Sequence, residues 1–264
     1  MVQEAIGTPA GKGTLPLTHP RFLQGVSILV GLAIWQVAAG QFSHFILPAP
    51  SAVALRFLDP AFAWTLLLAL GRALVHMLAG FGLALAVAVP LGILLGRSPR
   101  LNAMFDPVIS AFYAVPPVAF VPFLIIWFGL FFEARVALVF IMSFPDVLVV
   151  VIAGSRDVDS RLVNVGRSFG AGRLANLRLV VLPASLPFLF TALRIGTARA
   201  INGMVTAELF FAAVNLGALM KDSAERFDAA SVLAVVVLIG AFGLFALTLV
   251  RALEARFLSW HPAR

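Results

Sequence analysis

SVLAVVVLIGAFGLFALTLV, residues 231–250, holds no charged side chain in 20 positions. A helix crosses the hydrocarbon core of a bilayer with about 20 predominantly apolar residues, so this stretch reads as a membrane span. Working outward, runs of similar length and character recur at residues 22–39, 77–95 with an apolar approach from Trp64, 108–132, 136–153 and 182–211. Only the fifth of the six, 182–211, is crowded with charge, carrying Arg194, Arg199 and Glu208. The sequence therefore predicts an all-α polytopic membrane protein with about six transmembrane helices. Composition agrees: 61% of the 264 residues are hydrophobic and 12% charged, with a mean hydropathy of +1.03. Soluble domains run at about 45–50% apolar and about 25% charged. With no cysteine in the chain, a disulfide framework, a cysteine-based zinc site and an iron–sulfur cluster are excluded.

A net charge of +7 invites a nucleic-acid reading, but in a membrane chain the placement of the cations matters more than their sum. Twelve of the 19 Lys and Arg residues fall in segments 1–21, 97–106, 154–178 and 251–264. Four fall in 40–63, 133–135 and 212–230, and Arg72, Arg194 and Arg199 lie within helices. Short cytoplasmic loops collect Lys and Arg, so the count predicts that both termini are cytoplasmic and that the partner is the lipid bilayer, with no nucleic acid. Residues 1–21 are polar and contain Pro9, Pro16 and Pro20. They read as a disordered cytoplasmic lead rather than a cleaved signal, because the run behind them exceeds the usual ~7–15-residue apolar core of a signal peptide. Residues 22–258 then form one membrane domain, and 259–264 a cytoplasmic tail.

The longest inside segment, 157–187, is more than a connector. Leu162, Val165 and Phe169 recur at helical spacing behind Asp159 or Ser160 as an N-cap, and Gly170 and Gly172 suit the helix end. A second amphipathic stretch, 174–181, is expected to stop at Leu182-Pro183, with Pro183 and Pro187 in the first turn of the next span. Two short helices joined by glycine at the cytoplasmic face form either a docking surface or a loop whose arginines bind anionic headgroups; spacing alone leaves both open.

Here the chain resembles the permease subunits of bacterial ATP-binding-cassette importers, whose cytoplasmic loop reads Glu-Ala-Ala, three residues, Gly, nine residues, Ile-x-Leu-Pro. Asn164-Val165-Gly166, Gly170 and Val180-Val181-Leu182-Pro183 keep that spacing, with Asn164 in place of the glutamate and Val165 and Gly166 in place of the alanines. The likeness is nearest to the aliphatic-sulfonate, taurine and nitrate branch. It extends to Leu47-Pro48-Ala49-Pro50-Ser51, Pro90-Leu91-Gly92, Val115-Pro116-Pro117, Trp127-Phe128-Gly129, Ala207-Glu208-Leu209 and Trp260-His261-Pro262. Asn215-Leu216-Gly217 stands where these permeases often have Gly-Leu-Gly.

The resemblance implies a type I ABC importer permease fold in the inner membrane. It also implies a homodimer, two cytoplasmic ATPase subunits that use ATP and magnesium, and an extracytoplasmic substrate-binding protein. This chain itself is expected to bind no cofactor and catalyse nothing. On that reading, residues 157–182 form the ATPase-coupling loop. Gly166, Gly170 and Ala171 allow close approach, Leu162 and Phe169 anchor it, and Asn164, Val165, Leu182 and Pro183 complete the motif.

Polar groups inside spans are costly and usually face a cavity or the bundle interior. At 100° per residue Arg199, Asn202 and Thr206 share a sector of about 60°, which marks a translocation path or a helix contact. Arg199 is a candidate charge for an anionic cargo; its alternative is an ion pair with Glu208 or Asp146. Glu208 is a candidate for an outer gate, a dimer tie or a local salt bridge, and Arg194 for a structural or headgroup-anchoring role. Asp146, after Pro145, fills a backbone gap or faces the pathway. Pro116, Pro117 and Pro122 free carbonyls that need neighbours, which predicts an interior third helix, with a simple kink as the alternative. Arg72 and His76 are expected to snorkel at the outer interface.

No Gly-x-x-x-x-Gly-Lys-Ser/Thr occurs, so this chain does not hydrolyse ATP by that route. His19, His44, His76 and His261 are scattered, without a His-Glu-x-x-His, and no nucleophile, base and orienting residue group together. Six spans without visible halves also argue against a secondary transporter driven by an ion gradient, since those commonly show inverted repeats. The same importer machinery also serves uncharged or heterocyclic nutrients such as pyrimidine precursors, and that reading stands beside the anion one.

Overall fold

A computed structural model describes residues 20–211 and 214–258. Most of the polar lead and the Trp260-His261-Pro262 tail lie outside the described residues. Those described form helices and connecting loops, with no strand among them.

Helix α1, Pro20–Ala39, keeps nearly every side chain on the outside of the chain. It leans on α2, Pro50–Leu58, where Gln36 Nε2 donates to Ser51 Oγ (3.3 Å) and Ser51 N to Gln36 Oε1 (3.4 Å). The apolar approach from Trp64 and the second expected span are one helix, α3, Pro60–Arg97. Asp59 starts it by accepting from Ala61 N and Phe62 N at 3.0 and 3.4 Å, with Pro60 preset for the first turn. At 38 residues and about 1.5 Å per residue it outreaches the ~30 Å hydrocarbon core.

The expected continuous third helix, 108–132, does not form. Helix α4, Pro99–Ala114, stops before Pro116 and Pro117; a 3₁₀ turn follows at Pro117–Phe120, then α5, Val121–Phe128, at 87° to α4. Proline lacks the N–H for an i→i−4 bond and drives its preceding residue out of the helical region, and Val115 is extended at φ −92°, ψ 122°. The segment is not interior to this chain either, since Pro116 and most of α4 are exposed. Gly129, at φ +67°, ends α5.

The core is a slab of three long helices: α3, α6 (Phe132–Asp157) and α9 (Leu182–Phe210), with α6 in the middle. Helices in lipid gain from backbone proximity at small residues. A Cβ on Gly80 would lie 2.5 Å from the Val136 carbonyl oxygen, and one on Gly92 2.8 Å from Val151 Cβ. Helix α10, Asn215–Glu225, caps the slab at one end, and α11, Ala229–Phe257, packs on α9 and α2. Arg56 of α2 pairs with Asp228, the N-cap of α11. Partial burial pushes the Asp228 carboxyl upward, but hydrogen bonds from Ser231 and Arg56 outweigh it and hold the group below the usual carboxylate range. Among the described residues, five helices are long and apolar enough to cross a membrane, or six with the α4–α5 pair taken as one bent span.

Candidate functional site

Three polar or glycine-rich features stand out on this frame. The first is the segment after α6. Helix α7, Ser160–Ser168, starts at Asp159, whose side chain accepts from Arg161 N at 2.8 Å. That backbone bond holds the Asp159 carboxyl below its ordinary range. The helix closes where the sequence places its glycine. Ala171 N donates to Gly166 O (3.0 Å) and Gly170 N to Arg167 O (2.9 Å), with Gly170 at φ +79°. These two bonds make a Schellman ending. Leu162, Val165 and Phe169 stay exposed, Phe169 at 88%, while Val163, on another side of the helix, is buried. Asn164 is also exposed.

Sequence reasoning missed what holds this helix down. Buried Asn176, in α8 (Arg173–Asn176), donates from Nδ2 to the Val163 carbonyl at 3.2 Å. A Cβ on Gly166 would come within 2.6 Å of Asn176 Oδ1. Gly166→Val is therefore expected to dislodge Asn176 at a cost of about 1–3 kcal/mol, releasing α7. Faster hydrogen exchange over 160–168 would register it, and exchange at the wild-type rate would refute it.

The second amphipathic stretch does not stop at Leu182-Pro183. The chain stays helical from α8 through a π-helical stretch, Leu177–Val181, into α9. Leu182 N donates to Leu177 O, the i→i−5 bond of a π turn, and Pro183 follows in the first turn of α9, where no N–H is required. Gly172 is extended and begins α8 rather than ending α7.

The second feature lies at the opposite end of α9. Glu208 is buried and accepts from Gly217 N at 2.9 Å and Asn215 Nδ2 at 3.4 Å. His76 Nε2 lies 3.3 Å away and Arg135 Nε 4.0 Å. Arg135 also donates to the carbonyls of Leu130 (3.1 Å) and Phe211 (3.3 Å). His76 thus does not snorkel: it is 2% exposed, because the carboxylate and guanidinium give a polar ring a place in the interior. Arg72, one turn away, is exposed. Arg135, counted above as a loop cation, is buried in this cluster. The cluster ties α3, α6, α9 and α10 together within the single chain.

The third feature joins α4, α6 and α9. Arg199 Nε lies 3.0 Å from Asp146 Oδ2, and Tyr113 Oη donates to Asp146 Oδ1 at 3.1 Å. Arg199 and Asn202 are exposed and Thr206 half-buried, its hydroxyl bonded to the Asn202 carbonyl at 2.8 Å. Of the two pairings open for Arg199, the structure has Asp146, which also gives that aspartate its partner. Arg194 meets Glu254 of α11 at 3.7 Å. Among the described residues no three His, Asp or Glu side chains cluster as metal ligands do.

Residues 88–259 match the family model described as binding-protein-dependent transport system inner membrane component. The chain belongs to that family. It is a multi-pass inner-membrane permease component of an ABC importer, and the ion-gradient transporter reading falls away. The permease is 29% identical to the taurine transport system permease protein TauC of Escherichia coli (strain K12), across 99% of this chain and 98% of that one. The putative aliphatic sulfonates transport permease protein SsuC of Bacillus subtilis (strain 168) is 29% identical over 87% of this chain and 84% of that one. The riboflavin transport system permease protein RibX of Chloroflexus aurantiacus is 32% identical over 90% of each.

Proposed function

We propose that this permease translocates a small organic anion of the sulfonate or taurine class, as a homodimer with both termini in the cytoplasm. Two ATPase subunits that bind ATP and magnesium dock on the 157–182 segment, and an extracytoplasmic binding protein delivers the cargo. One observation carries the anion reading. Arg199 keeps about half of its side chain exposed even while paired with Asp146, on a face continued by Asn202 and Thr206. An arginine beside the route offsets part of the cost of moving an anion through low dielectric, and Asp146 keeps the cation compensated when cargo is absent. The likeness to taurine and sulfonate permeases supports the same class. Tyr113, just ahead of the break at Pro116 and Pro117, donates to Asp146, which supports assigning that break to the same route.

The reading is tested in proteoliposomes holding permease, ATPase and binding protein. Uptake of labelled taurine or an alkanesulfonate is expected to require ATP and to survive collapse of proton and sodium gradients. Arg199→Gln is expected to lower it about tenfold, as removing a charge partner worth 1.4 kcal/mol would. Unchanged uptake would remove Arg199 from the path. The relative named for riboflavin transport favours a second reading, a heterocyclic nutrient, and the ligand retained by the binding protein distinguishes the two.

A further inference from the structure

A trough of about 1140 Å³ opens beside α7, between the end of α3 and the chain from α7 to the start of α9. Its floor is apolar, with Val89, Ile93 and Val181, and its rim is basic, with Arg97, Arg167 and Arg173. No acidic side chain among the described residues lines it. Among the described residues none of the three arginines has a carboxylate within ion-pair distance. Arg97 is held at the rim by the carbonyls of Ser155 (3.4 Å) and Val158 (3.5 Å).

Charge and floor together choose the ligand. Three unpaired cations over a purely aqueous pocket would suit any phosphate, whereas an apolar floor beneath them suits a phosphate that carries hydrocarbon. The position suits it too, since the trough lies where the long apolar helices α3 and α9 meet the arginine-rich segment. On α7, Val163 and Arg167 lie one turn apart and face the trough, while Leu162, Val165 and Phe169 project elsewhere. A ligand here and a protein on the apolar face do not compete.

We propose that this trough binds an anionic phospholipid, with acyl chain along Val89, Ile93 and Val181 and phosphate between Arg167 and Arg173. The lipid would bridge α3 to the docking segment. The proposal rests on the reading above that this end of the bundle faces the cytoplasmic leaflet, and basic pockets between helices on that side bind anionic headgroups.

The test uses the detergent-purified transporter complex, presented with phosphatidylglycerol, cardiolipin and phosphatidylcholine at equal concentration and read by native mass spectrometry. The complex is expected to retain the two anionic lipids over phosphatidylcholine, and Arg167→Gln/Arg173→Gln to lose about tenfold of that retention. Equal retention of all three lipids, or full retention by the double variant, overturns the proposal. The chain has no native cysteine, so Leu94→Cys, at the trough, provides a single reporter. A cross-link from it to the ATPase or to a second copy of the permease assigns the trough to protein and also overturns the proposal. Co-purification of the ATPase is scored in the same samples: anionic lipid without ATPase defeats the docking reading alone, and ATPase without lipid defeats this one alone.

Discussion

Gly170→Arg is expected to insert into the membrane at the wild-type level and to abolish ATP-driven uptake. Gly170 sits at φ +79° as the residue that closes α7, and a Cβ there would meet nothing within 4 Å. The fold therefore pays only the left-handed backbone penalty of about 1–2 kcal/mol for an L-residue, too little to unfold a bundle whose core lies elsewhere. The proposed docking surface is expected to fare worse, because a long cation then projects beside Phe169, the most exposed apolar side chain of the segment, and a partner's cleft that closes on a two-turn helix would have no room for it. Gly170→Ala carries the same backbone strain without bulk, and Gly170→Asn relieves part of the strain because asparagine tolerates the left-handed region. Both are expected to keep substantial uptake. Normal transport in Gly170→Arg would sink the docking assignment, and equal loss in all three would assign the defect to the turn rather than to the surface.

Glu208→Ala is expected to be the most destabilising single change in the molecule. It strips the acceptor from Gly217 N and from Asn215, and it leaves the buried Arg135 with backbone carbonyls as its remaining partners. Breaking a buried ion pair by removing one partner costs about 3–5 kcal/mol, or roughly 6–20 °C in melting temperature for a chain of this size. Because the groups act as one unit, the costs do not add. Glu208→Ala/Arg135→Met is therefore expected to lose less than the sum of the two single variants. A thermal melt of the purified permease reads all three, and a wild-type melt for Glu208→Ala would show that the cluster is not a structural tie.

Five of the six spans were legible because every crossing needs about 20 predominantly apolar residues, and 231–250 supplies them without a charge. The ends of α7 were legible as well, since an Asp N-cap and a glycine that must go left-handed are local requirements. What stayed hidden depended on distant pairs. Nothing near His76 in the sequence points to Glu208 or Arg135, 59 or more residues away, and its polar ring beside Arg72 resembles an interfacial residue. Asn176 reads as one polar residue of an amphipathic stretch until Val163 is folded against it. The third span failed for another reason: the apolar residues around Pro116 and Pro117 keep 108–132 hydrophobic on average, whereas the backbone lacks two N–H groups there. Arg199 lay between these cases, with its face set by periodicity and its partner Asp146 set only by the packing of α6 on α9.

The uninterrupted run from Arg173 to Phe210 has a mechanical consequence. It makes α8, the π turn and α9 a single strut about 57 Å long at 1.5 Å per residue, with Asn176 gripping α7 near one end and Glu208 gripping α10 near the other. A push delivered to α7 has no joint to dissipate it on the way, except the loosened turn at Leu177–Val181. If the ATPase docks on α7 as proposed, force entering on the arginine-rich side is expected to reach α10 as a tilt, with the stiffness of one five-residue turn setting how much of it arrives.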